Sequence, residues 1–418
     1  MLKKIYFAFF LPAIVVPSVA QTTSSFYLPS NIKSAYEKGT RSPDGSPGKN
    51  YWQNSGDYEL KIKFDPATRL LDGSEVITYY NNSPDTLHQL LFRLYPNYYK
   101  KNELRDQVVR YEDENEGVII DKLVIGGEEM DTAARAHRVV FNNTNMSVFC
   151  KSIFPKQKVK AEVKWHYTLN KGSHQRTGQV DAGAFFIAYC FPRVAVYDDV
   201  QGWDESVYMG VNEPYFDFGN FNAEVTVPKD YVVWGTGVLQ NPETVLAPNI
   251  LERYKASLTS DSVSLVVGME DLAKNAVTAK NAWNTWVFRA EDVPDFSFAI
   301  SDHYVWQSVS TVVDPSTKRR TVINTAFNPE HTDFFDVNFF SRRTVEVMSN
   351  DFPGVPYPYP HITVFDGLDQ MEYPMMVNDN PLESKAETVE LTDHEIFHTF
   401  FPFYMGINQT KYAWMDEG

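Results

Sequence analysis

From Tyr58 the chain alternates. Tyr58, Leu60, Ile62 and Phe64 fall on one side of an extended backbone, and Glu59, Lys61 and Lys63 fall on the other. A period of two marks a half-buried strand. Short runs of the same kind recur at Glu75 to Tyr80, Leu90 to Leu94, Val118 to Ile125, Lys158 to Tyr167, Ala223 to Val227 and Ser262 to Val267, separated by turn residues. No helical periodicity interrupts them, so residues 55–307 are predicted to form an antiparallel β-sandwich or bowl. Near Gln307 the pattern changes. After a strand at Thr321 to Asn324, Phe334, Val337, Phe340, Thr344 and Met348 recur at threes and fours, predicting an amphipathic helix that Pro353 and Pro356 end. A strand from Ile362 to Phe365 follows, and a second helix is expected from roughly Glu387 to Phe401. Residues 308–418 therefore read as a mixed α+β domain. Ahead of the strands, residues 21–54 are rich in Ser, Pro, Gly and Lys without periodicity, which predicts a linker or surface strap.

Residues 1–20 read as a secretory signal: Lys3 and Lys4, an apolar stretch from Ile5 to Val16, then Ser18-Val19-Ala20 ahead of a cut after Ala20. The apolar stretch is too short to span a bilayer, so a stable membrane anchor is not expected, and the protein is expected in the periplasm or secreted. Two cysteines, Cys150 and Cys190, can pair or stay free in such a compartment. A formal net charge of −16 repels nucleic acid, and the scattered glycines form no phosphate loop.

The chemistry is concentrated near residue 400. His394-Glu395-Ile396-Phe397-His398 puts two imidazoles at i and i+4 on one helical face, and Glu417 follows eighteen residues after His398. Two histidines and a carboxylate are the ligand set of a catalytic zinc with one coordination position left for water. Glu395, rotated by about 100° from His394, is placed to take a proton from that water. The pattern predicts one Zn²⁺ held by His394, His398 and Glu417, with Glu395 as general base of a metallohydrolase. Phe397, Phe400, Phe401 and Phe403 crowd this helix, and the chain offers them no evident partners.

The HExxH-x18-E spacing, the run Asn408-Gln409 to Tyr412-Ala413-Trp414-Met415-Asp416-Glu417-Gly418, and Gln370-Met371-Glu372-Tyr373-Pro374 together resemble the M1 family of gluzincin aminopeptidases, in its bacterial exported form. Phe191 to Asp198 and Tyr215 to Gly219 resemble segments of bacterial members. The resemblance covers residues 55–418. It implies a saddle-like N-terminal β-sandwich followed by the first half of a thermolysin-like α+β catalytic domain, with the C-terminal helical part missing. It implies removal of N-terminal residues from peptide substrates. Gln370, Met371 and Glu372 align with the family's GxMEN motif, so Glu372 would bind the free α-amine. Tyr373 stands where the family has asparagine. The oxyanion-stabilising tyrosine is expected beyond Gly418, so the 418 residues alone are expected to be inactive. Alternatives are a non-catalytic peptide-binding β module and another gluzincin endopeptidase.

Overall fold

A computed structural model describes residues 27–133 and 137–418, so the expected signal segment 1–20 lies outside the described residues. Residues 27–51 fall in one compact unit and Trp52–Gly418 form a second. In the first, the expected strap carries a helix, Ser30–Lys38, ended by Gly39 in the left-handed region at φ 70°, whose N–H reaches the Ala35 and Tyr36 carbonyls. Nine residues that bury only Ala35 leave no apolar stripe for a sequence reading to find.

The larger unit is mainly β. Ser55–Asp65 buries Tyr58, Leu60, Ile62 and Phe64 as the alternation requires. It pairs antiparallel with Leu70–Tyr80, and on its other side it runs parallel to Gly219–Pro228. The eight-stranded sheet is therefore mixed rather than wholly antiparallel. Gly56 faces Gly219 across the parallel pair, and a Cβ on Gly219 would lie 2.5 Å from the Gly56 carbonyl oxygen, so this backbone approach needs glycine. Lys158–Thr168 extends the sheet beyond Leu70–Tyr80. A helix, Pro248–Ser257, interrupts the region expected to be all strand.

A six-stranded sheet carries the second half. It takes its first strand, Ser264–Val267, from upstream of residue 307 and continues through Val305–Asp314, Arg319–Phe327, His361–Asp366 and Met376–Asp379 to the edge strand Met371–Tyr373. Arg319–Phe327, His361–Asp366 and Met376–Asp379 run parallel. Phe334–Asn350 covers this sheet through the predicted apolar stripe, burying Phe334, Val337, Phe340, Thr344 and Val345. A second helix, Lys385–His398, packs against it. Ser384 caps that helix, its side chain accepting from the Glu387 N–H at 3.2 Å. Regular helix stops at His398, three residues short of the predicted end, and an irregular π-type turn spans Thr399–Phe403, kinked at Phe401, whose backbone is extended at φ −151° and ψ 110°. Pro402 has no N–H to return to the His398 carbonyl, which loosens the ladder there. The clustered phenylalanines do find partners: Phe400 and Phe403 are buried, and Phe400 meets Tyr357 edge-on at 5.1 Å between ring centroids. Cys150 and Cys190 are both free thiols. Among the described residues no helix is long and apolar enough to cross a membrane.

Candidate metal centre

His394 and His398 occupy successive turns of one helix, and their Nε2 atoms converge to 3.0 Å. Glu417, in the short helix Trp414–Glu417, brings Oε2 to 3.4 Å from His394 Nε2 and 3.8 Å from His398 Nε2. Three ligands about 2.0–2.2 Å from a tetrahedral zinc stand about 3.3–3.6 Å apart, so the triangle has the size of a zinc shell. His394 and Glu417 are each half-exposed, which leaves its outer side open to solvent.

On the inner side, Asp416 Oδ1 lies 2.9 Å from His398 Nδ1. A carboxylate there fixes the ring and leaves Nε2 for a metal. The Gln409 amide donates to the other Asp416 oxygen at 3.2 Å. Asp416 also helps form a second group with metal-binding potential, Glu372, His398 and Asp416, all buried. The two groups share His398. Only the outer one, with His394 and Glu417 half-exposed, is open to solvent.

Glu395 faces inward at 2 % exposure, and its Oε2 has no hydrogen-bond partner. Burial, followed by the nearby carboxylates of Glu372 and Asp379, pushes its acid up to about 10. Glu372 sits on the edge strand but is buried, its Oε1 likewise without a partner, and burial with Glu213 and Asp416 nearby raises its pKa well above the usual range. Gln370 is exposed and Met371 half-buried against the core. Orphaned carboxylate oxygens beside an open His, His, Glu triangle fit a divalent cation, whose charge would oppose the burial that raises these acids.

Sequence reasoning missed Asp416, although it adjoins Glu417. It also missed Arg176 and Glu213, which no motif marks. Of the segments resembling bacterial enzymes, Phe191 to Asp198 serves the core: Arg193 donates to Asp295 at 3.1 Å and lies 4.4 Å over the Phe216 ring.

No protein-family profile matches the chain, and no curated protein matches it in sequence. Solved structures do. An M1 zinc metallopeptidase from Deinococcus radiodurans superposes with a TM-score of 0.52 at 13 % identity, covering 89 % of this chain and 69 % of its own. A two-domain M1 zinc metallopeptidase bound to L-arginine gives 0.53 at 14 % identity over 89 % and 70 %. The chain thus has the fold of the M1 zinc metallopeptidases.

Proposed function

We propose that the protein is a zinc-dependent aminopeptidase of M1 type, acting on peptides in the periplasm or outside the cell. The observation that carries this reading is the His394, His398, Glu417 triangle with Glu395 buried beside it. Zinc bound there would lower the pKa of a water and polarise a peptide carbonyl. Asp416 holds the His398 ring. Glu395 accepts the proton of the attacking water and returns it to the leaving amine. Glu372 offers a buried, unpartnered carboxylate oxygen to the substrate's α-ammonium, so that only the first peptide bond reaches the reacting centre.

One hydrophobic cluster runs from Tyr58 to Phe400, which favours a single working unit over a β module acting alone. The test compares a peptide with its N-acetylated form. In the protein as its source cell makes it, the free peptide is expected to be cut at its first bond and the acetylated one left intact. Equal cleavage would remove Glu372 from amine recognition and with it the exopeptidase reading.

A further inference from the structure

Two loops of the β part meet the candidate centre at an ion pair for which the hydrolytic steps have no use. Arg176 is 5 % exposed, and its guanidinium is spent on one loop: Nη1 donates to Glu213 Oε2 at 2.5 Å, Nη2 to the Val211 carbonyl at 2.8 Å and Nε to the Gly210 carbonyl at 3.3 Å. The Arg176 carbonyl accepts from the Tyr373 hydroxyl at 2.6 Å, and Tyr373 is the neighbour of Glu372. From Glu213 the path continues. Its carbonyl accepts from Thr410 Oγ1 at 2.6 Å, and Thr410 follows Gln409, whose amide holds Asp416 at 3.2 Å.

These bonds join pieces of chain that share no ladder. The edge strand Met371–Tyr373 pairs with Met376–Asp379, whereas residues 404–413 form turns with no regular element. Within that irregular stretch, side-chain bonds of the kind made by Thr410 and Gln409 take the place of a ladder in fixing where Asp416 and Glu417 stand. Arg176 is also the cation set against the local carboxylates: it opposes the raised acids of both Glu213 and Glu372. Removing one member of such a buried pair leaves the other charge uncompensated and frees both loops.

We infer that Arg176 and Glu213 are a positioning pair for the metal centre, setting the segment that carries Asp416 and Glu417 against His398 and holding Glu372 beside them. This rests on the metal-site reading above. Neither residue belongs to either candidate ligand group, so the effect is on geometry.

The test is a zinc titration of the full chain after chelator stripping, in competition with a chromophoric chelator, alongside the melting temperature of the metal-free protein. Glu213→Gln is expected to weaken zinc binding about 10–100-fold, as loss of outer-shell support does elsewhere. Thr410→Val, which keeps both charges, is expected to weaken it by a smaller factor while the metal-free melting temperature stays put. Arg176→Gln combined with Glu213→Gln should be no weaker than the worse single variant, because the two act as one unit. Zinc affinity within twofold of the parent in both Glu213→Gln and Thr410→Val overturns the inference. Should Glu213→Gln fail to fold, Thr410→Val decides alone. A parent chain that takes up no zinc overturns the metal reading itself, and this inference with it.

Discussion

At the scale of single residues the proposed chemistry rests on Glu395 and Glu372, and both owe their character to burial among other carboxylates. A carboxylate kept from water and from cations is poised for a proton or a positive charge. Glu395→Gln keeps the shape and removes the proton acceptor. In the protein as its source cell makes it, turnover of a free peptide is expected to fall about 10²–10⁴-fold with zinc content unchanged, read by steady-state kinetics and metal analysis on the same sample. The positions of His394, Glu395 and His398 on one helix were legible because i, i+4 spacing fixes which side chains share a face. Glu372 was legible only through a four-letter resemblance, and its burial was not: an edge strand is half-covered in general, and here the ligand helix and the π-type turn pack against it. Asp416 was missed because nothing in a sequence distinguishes an acid that orients a ligand from one that is a ligand.

Among the elements, the strands were the most legible, since alternation over seven to eleven residues admits little else. Their partners were not. Parallel pairing of Ser55–Asp65 with Gly219–Pro228 joins segments more than 150 residues apart, and only the facing glycines hint at it. The ligand helix was predicted two residues late and three residues long at its end, where the π-type turn replaces α-helical bonding from Thr399. Its start rests on Ser384. Ser384→Ala removes the acceptor for the Glu387 N–H and is expected to cost about 1 kcal/mol, measured by denaturant unfolding of the metal-free protein. No change in the midpoint would mean that packing alone fixes this helix end.

Across the whole molecule, stability should fall as pH rises above neutrality. Asp217 and Asp379 are each pushed up to about 8 and Asp295 to about 6, in every case chiefly by burial. Unfolded, these acids titrate near 3.9. A group whose folded pKa is raised gives stability that is complete below the unfolded value and lost as pH climbs to the folded one. Between about pH 6.5 and 8, Asp217 and Asp379 each bind a proton in the folded state only, so each weakens the fold by about 1.4 kcal/mol per pH unit. His361, held neutral down to about 4 by burial, acts oppositely, but only below its unfolded value near 6.5. A lower melting temperature at pH 8 than at pH 6.5 is the expected result; an equal or higher one would mean that these carboxyls are ionised in the fold.

Everything proposed for the site depends on His394, His398 and Glu417 holding one zinc. The most direct measurement is the zinc content of the purified full chain beside that of His394→Ala, by elemental mass spectrometry, with circular dichroism to show that both are folded. One zinc per parent chain and none in the variant is the expected result. Equal zinc in both, or none in either, would overturn the ligand assignment.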